Sequence, residues 1–381
     1  MKTKLILAAL FIGAIVLNSC KKESIDSTGT SILKTTPQNK SAKAKIATFD
    51  MNKYSQLLAV NNTRLARLEG QLKRGTLQSI TVPTDFATIQ EAVDAASEGA
   101  NIFVNSGTYT EEVIINTAGL KLEARDNVLL NGLIIIGEDA DNVTIKKFNI
   151  HMPELKPFAI FGIGITGGQF VQNTITAQPA YYNFDQSGLE FISCDGVTVS
   201  NNTVTGADWA IIFYSHSELG NGTCNNNIIT NNTMSDNFIV GIQVQGNSQH
   251  NTISNNTVSE GSEAFIANGG IYLFGIPDYI GMPVENQGEC NNNIVKNNYC
   301  TEGFTGICAI FNNYNNTIGP NNTTNGNYVY GIHLYSGASN NHIFNNTSLN
   351  NAVCDIVVQD EGVPCLNNTF GNNNYGCFSQ Y

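Results

Sequence analysis

The stretch Ile253-Ser254-Asn255-Asn256-Thr257-Val258 decides the fold, because the chain writes it repeatedly. Val199 to Val204, Ile229 to Met234, Val295 to Cys300 and Ile343 to Ser348 follow the same rule: an apolar residue, two further residues, Asn, one residue, then an apolar or small one. The Asn recurs at Asn202, Asn232, Asn256, Asn298, Asn322, Asn346 and Asn373, and the steps from Asn232 to Asn256, Asn298 to Asn322 and Asn322 to Asn346 are each 24 residues. A repeat of that length, with short period-two apolar runs between polar corners, is the signature of a solenoid. Asn accepts the left-handed backbone that a corner needs. Stacked at about 4.8 Å per coil, the carboxamides are expected to bond along the axis as a ladder, pairing polar groups that a buried corner would otherwise strand.

A second column keeps step with the first: Gly188-Leu-Glu-Phe, Ala210-Ile-Ile-Phe, Gly241-Ile-Gln-Val, Gly270-Ile-Tyr-Leu, Gly306-Ile-Cys-Ala, Gly331-Ile-His-Leu and Asp355-Ile-Val-Val. Equivalent strands of successive coils run the same way, so the sheets are parallel. A right-handed winding follows by analogy with crossover connections.

Upstream, Thr88 to Ala96 has apolar residues at helical spacing, and an amphipathic helix there would cover the open end of a solenoid core. The run from Thr88 to Ile115, with Gly107-Thr-Tyr-Thr-Glu111, resembles the opening of right-handed parallel β-helix proteins, among them pectin methylesterases and the periplasmic repeat proteins called NosD. The Asn-rich repeats look most like the latter. The resemblance covers roughly residues 80–381 and implies an all-β, single-stranded right-handed parallel β-helix with an N-terminal capping helix. It speaks weakly about chemistry, since such repeats serve lyases, hydrolases, esterases, epimerases, adhesins and accessory proteins. The Asp-Phe-Ile-Phe-Gly and Gly-Arg-Pro-Trp motifs of the esterases are absent, so their catalytic aspartates have no counterpart. The NosD resemblance implies a copper-related role, but His151, His216, His250, His333 and His342 show no ligand-like spacing with Cys or Met, and no metal site is expected from them.

Lys2 and Lys4, an apolar run from Leu5 to Val16 and then Leu17-Asn18-Ser19-Cys20 read as a signal peptide ending in a lipobox. This resembles bacterial lipoproteins and implies cleavage before Cys20 and acylation there. The run is too short for an ordinary membrane span, and several acyl chains would hold the protein to the bilayer. The expected organisation is a leader over residues 1–19, a Ser/Thr/Lys-rich tether over 20–48, a helical segment over 49–78 and the β-helix over 79–381. The expected location is the bacterial cell envelope, at the outer membrane, with membrane contact through the anchor only.

Eight cysteines follow Cys20, an even number that invites disulfides in an exported chain. Cys194, Cys224, Cys290 and Cys365 each lie eight residues before a ladder Asn. Cys194 and Cys224 fall on adjacent coils within bonding range, whereas stacked free thiols are the alternative.

The formal net charge is −12, no Arg follows Arg125, and the only Lys residues beyond Lys147 are Lys156 and Lys296. Nucleic acid is excluded as a partner, since phosphate binding needs Lys and Arg. A lyase acting on uronic acids would need a cation at the carboxylate and a nearby base. Bound Ca²⁺, the one cofactor the acidic side chains suggest, would have to supply that cation.

Relative to the shortest coils, extra residues precede the Gly-Ile strand at 177–187 and 259–269 and follow it at 215–223 and 276–289. Loops at corresponding places in a solenoid wall a groove. Outward positions of that strand are Glu190, Ile212, Gln243, Tyr272, Cys308, His333 and Val357, beside Ile192, Tyr214, Gln245, Phe274, Ile310, Tyr335 and Gln359. Aromatic faces interleaved with amides and imidazole suit the faces and hydroxyls of sugars. Tyr214, Gln243, Gln245, Tyr272, Phe274, His333 and Tyr335 are therefore the candidate contacts to an extended polysaccharide. Candidate catalytic groups are Glu190, Asp208, Glu218 and Asp278 for hydrolysis, and Tyr272 with His333 for elimination. The competing reading is a non-catalytic structural or adhesive solenoid in which loops cover the row as a minor core.

Overall fold

The computed structural model describes residues 79–153, 156–177, 186–260, 269–278 and 284–381. The leader, Cys20, the tether and the segment 49–78 lie outside the described residues. Three parallel sheets wind around one core: a twelve-stranded sheet beginning with Ser79–Val82, an eight-stranded sheet beginning with Gly107–Tyr109, and an eleven-stranded sheet beginning with Glu112–Ile115. Helix α1, Ile89–Ala95, starts at a capping box in which Thr88 accepts from the Glu91 amide and Glu91 reaches back to the Thr88 amide. Ile89, Ala92 and Val93 are buried against the first coils, and the Glu111 carboxylate accepts from the Ile89 and Gln90 amides at 3.1 and 3.0 Å. The helix thus occupies the N-terminal end of the core.

At each corner the two asparagines divide the labour. The first, Asn201, Asn231, Asn255, Asn297 or Asn345, takes φ between 52 and 57° and turns the chain. The second turns inward and stacks. The ladder starts one coil earlier than the repeat suggested, at Asn173, and its Nδ2-to-Oδ1 bonds run through Asn202, Asn232, Asn256, Asn298, Asn322 and Asn346 to Asn373 at 2.9 to 3.0 Å. Each interior Oδ1 also accepts the backbone amide of the preceding rung, as Asn256 does from Asn232 at 2.9 Å. Its Nδ2 also donates back to a carbonyl, as Asn256 does to Ile229 at 3.0 Å. All four hydrogen-bonding capacities of the buried amide are thereby used.

A second ladder stands five residues upstream of most rungs of the first: Asn227, Asn251, Asn293, Asn316, Asn341 and Asn368. It uses the same device, with positive φ at Asn226, His250, Asn292, Asn315, Asn340 and Asn367 immediately before each rung. Gly columns mark the third corner, where the eight-stranded sheet leads into the eleven-stranded one. A Cβ at Gly331 would lie 1.8 Å from the Ser348 Oγ, and one at Gly270 2.3 Å from the Gly306 carbonyl.

The C-terminal end closes differently. Phe370, Tyr375 and Phe378 continue the inward columns of the three sheets, and their rings converge with centroids 5.1 and 6.0 Å apart. Asp355 takes the Gly position of the last full coil. Its Oδ1 accepts from the Asn351 amide and side chain at 3.2 and 2.8 Å, and its Oδ2 from the amides of Gly376 and Cys377 at 2.8 and 3.0 Å. Beside it Cys354 and Cys377 form a disulfide, with Cα atoms 5.2 Å apart.

The cysteines therefore depart from the expected pairing. Cys194 and Cys224 are free thiols, as are Cys290, Cys300, Cys308 and Cys365. Cys194 and Cys224 point into the core, where the Cys194 thiol donates to the Ile192 carbonyl at 3.2 Å, so they fill volume as small apolar groups. Burial holds both thiols well above their ordinary range, Cys224 at about 12, so neither is readily a thiolate.

Candidate functional site

The eleven-stranded sheet sets the candidate row. Its register aligns Glu190, Ile212, Gln243, Tyr272, Cys308, His333 and Val357, and beside them Ile192, Tyr214, Gln245, Phe274, Ile310, Tyr335 and Gln359. Two-residue alternation puts both rows on the outer face, away from Ile242, Ile271, Ile307 and Ile332, which fill the core.

This outer face is closed to solvent. Tyr214, Gln243, Gln245, Tyr272, Phe274, His333 and Tyr335 are 4 to 9% exposed, and most of the apolar ones belong to a second hydrophobic cluster with Trp209, Leu219, Ile276 and Phe311. Leu219 and Ile276 come from two of the insertions, so these residues lie against the face instead of standing beside it. The lengthened connections before the strand, 178–185 and 261–268, and residues 279–283 lie outside the described residues.

Polar side chains on the face are paired with one another. The Tyr214 hydroxyl donates to Glu190 Oε1 at 3.1 Å, and the Gln243 Nε2 donates to Gln245 Oε1. Towards the C-terminal end, edge-on rings link Phe274 to Phe311 and Phe311 to Tyr335, with centroids 5.6 and 5.7 Å apart. His333 lies between Tyr330 and Tyr335, at 4.7 and 5.5 Å, and its Nε2 meets Gln359 Oε1 at 3.2 Å. The Tyr330 hydroxyl meets that of Tyr381 at 3.1 Å.

Electrostatics follow from this burial. Removal from water pushes the Tyr214 and Tyr272 phenols up, the Glu190 charge adding to the effect at Tyr214, so both remain hydrogen-bond donors and not bases. The same desolvation lowers His333 to about 4, against its hydrogen bond to the Gln359 carbonyl oxygen, which favours the charged form, so the imidazole is neutral at neutral pH.

The carboxylate candidates are scattered. Glu190 is half-buried at Tyr214, while Asp208 is buried at a corner, where its Oδ2 accepts from the Gln186 amide at 2.9 Å. Glu218 and Asp278 are exposed on the two loops after the strand. Among the described residues no three His, Cys, Asp or Glu side chains assemble as ligands. Lys296 lies on the twelve-stranded sheet, away from the row.

One buried acid went unnoticed in the sequence. Glu260 is 4% exposed at the third corner, where its Oε2 accepts from the Asn237 amide at 2.9 Å while Oε1 has no partner. Desolvation, slightly augmented by Asp236 and opposed by Asn237, pushes this carboxyl up to about 8. The visible signal was an acid at the start of the inserted segment 259–269, but aligned positions Asp236 and Glu302 are acidic and face outward, so sequence did not set it apart.

Residues 102–276 match the family model described as "Right handed beta helix region". No curated protein matches the sequence. Among solved structures, a 1,3-α-1,4-β-D-galactose-4-sulfate-3,6-anhydro-D-galactose-2-sulfate 4 galactohydrolase is similar over 80% of this chain and 90% of its own, at 12% identity and a TM-score of 0.52. The periplasmic alginate epimerase AlgG aligns over 78% of this chain and 84% of its own, at 12% identity and a TM-score of 0.45. A hyperthermoactive exopolygalacturonase from Thermotoga maritima aligns over 72% and 84%, at 8% identity and 0.46. At such identities the similarity concerns the fold alone, leaving chemistry to this chain's own residues. Continuous parallel stacking, with the family model matched over residues 102–276, gives this chain the right-handed parallel β-helix fold.

Proposed function

We propose that this protein is a lipid-anchored component of the bacterial cell envelope that binds an extended neutral polysaccharide along the outer face of its eleven-stranded sheet. The observation that carries the reading is the row from Tyr214 to Tyr335, in which aromatic rings stand beside amide and imidazole groups, with Cys308 and Ile310 between the Tyr272/Phe274 and His333/Tyr335 rungs, and no cationic side chain intervenes. Ring faces suit the C–H faces of sugars, and neutral donors and acceptors suit hydroxyls. A uronate carboxylate would find no positive partner there. The row is covered, so binding requires that a polymer displace residues such as Leu219 and Ile276 from it.

Binding is favoured over cleavage because the one carboxylate on the row itself, Glu190, is engaged by the Tyr214 hydroxyl, while Asp208 is tied to the Gln186 amide at a corner and Glu218 and Asp278 stand exposed on loops. One observation favours a second reading: the row packs as an apolar cluster, as it would in a purely structural solenoid whose loops complete a minor core.

Retention on immobilised neutral and uronic-acid polysaccharides, with new reducing ends and unsaturated products followed in parallel, separates these readings. Neutral glycans should be retained without new ends, and the paired variant Tyr272→Phe with His333→Gln should weaken retention about tenfold while conserving side-chain volume. Equal retention of parent and variant on every glycan would remove the row from consideration, and no retention at all would leave the structural solenoid.

A further inference from the structure

His333 is held by a chain of two hydrogen bonds whose direction the chemistry determines. Its Nε2 meets Gln359 Oε1 at 3.2 Å, and Gln359 Nε2 donates to Glu361 Oε2 at 3.1 Å. An ionised carboxylate only accepts, so Glu361 requires the NH₂ end of the Gln359 amide. The carbonyl end must then face the imidazole, and it too only accepts. Nε2 therefore carries the proton, and a neutral ring with Nε2–H has a lone pair on Nδ1. Without Glu361, the amide could rotate, present NH₂ to the ring and accommodate the opposite tautomer.

His333 and Gln359 are buried, while Glu361 stands exposed at the edge of the face with its backbone held. Gln359 ends the strand Cys354–Gln359 and pairs in register with Tyr335, which lets its side chain cross diagonally to His333. Glu361 is held just beyond the strand by a bridge to Val363 and by the Ser336 hydroxyl, which donates to its carbonyl. Tyr330 and Tyr335 flank the imidazole. Burial keeps the ring neutral, which spares the cost of displacing water from a charge.

Resting on the polysaccharide reading of this face, we propose that Glu361 and Gln359 are positioning residues that lock His333 as the Nε2–H tautomer and so reserve Nδ1 as a neutral acceptor for a sugar hydroxyl. Such an acceptor complements the row, where the Tyr272 phenol stays protonated, the Tyr214 hydroxyl is engaged with Glu190, and Gln243 is engaged with Gln245.

The test is a long-range ¹H–¹⁵N spectrum of the full chain in mild detergent, labelled at its five histidines, with the His333 signals identified by their loss in His333→Gln. Between pH 6 and 8 the parent should show a protonated Nε2 and an unprotonated Nδ1. Glu361→Ala should convert this to a mixture of tautomers, and so should Glu361→Gln, whose amide donates as well as accepts and therefore no longer dictates which end of Gln359 faces the ring. Neutral gluco- and galacto-oligosaccharides should then move the Nδ1 resonance. A protonated Nδ1 in the parent, or a tautomer ratio unmoved by Glu361→Ala, overturns the relay. Oligosaccharides that bind without shifting Nδ1 overturn the contact, whereas failure of every glycan to bind overturns the outer-face reading and the contact with it, the tautomer result standing separately.

Discussion

Glu260 offers a stability prediction with a defined sign. Its carboxyl is buried beside Gly241, where even a Cβ would lie 2.6 Å from Oε1, and only one of its oxygens has a hydrogen-bond partner. In the unfolded chain the group ionises near its ordinary value of 4.5, whereas in the folded protein it keeps its proton up to about 8. The unfolded state therefore binds fewer protons between those values, and stability falls as pH rises through the window. The contribution is fully present below about pH 4.5 and lost by about pH 8, an upper bound on the order of 5 kcal/mol at about 1.36 kcal/mol per pH unit. Glu260→Gln keeps the acceptor for the Asn237 amide and cannot ionise. Urea midpoints of parent and variant, followed by fluorescence of the single, buried Trp209, should coincide near pH 4.5 and separate progressively to pH 8, with the parent less stable. His333, whose lowered value removes stability as pH falls below about 6.5, affects both proteins alike and cancels in the difference. Parallel curves with a constant offset, or a gap that widens toward acid, would refute the reasoning.

Two further predictions address the ladders and the last coil. Asn256→Ala removes the acceptor of two Asn232 donors and the donor to the Ile229 carbonyl, at a cost on the order of 3–5 kcal/mol, whereas Asn373→Ala at the half-buried open end should cost about 1; urea unfolding of the pair checks the contrast, and equal losses would count against cooperative stacking. Reduction of Cys354–Cys377, which closes a 23-residue separation, should destabilise the last coil by about 3 kcal/mol and accelerate amide exchange in Phe378–Gln380 while leaving coils before Gly241 unchanged; uniform acceleration would contradict a local role.

Repeat period, strand direction and the outward row were determined by the sequence alone, and for a local reason. Alternation assigns each side chain to a face, Asn at a corner satisfies both the left-handed turn and the stacked amide, and a constant period then places residues such as Gln243, Tyr272 and His333 in line. The second ladder was equally legible in Asn226-Asn227, Asn292-Asn293, Asn315-Asn316, Asn340-Asn341 and Asn367-Asn368, but His250 before Asn251 interrupts the pairs. Tertiary structure alone decided what lies over or beside each position. Leu219 and Ile276 turn back onto the outer face, so a row whose alternation reads as exposed is buried. Glu260 turns inward while Asp236 and Glu302, at matching positions, do not. Cys354 bonds to Cys377 because the final coil brings them together outside the column of core thiols that the repeat makes conspicuous. Periodicity specifies neighbours one coil away, whereas insertions and chain ends, where the period fails, set burial, and burial sets the protonation of Glu260 and His333.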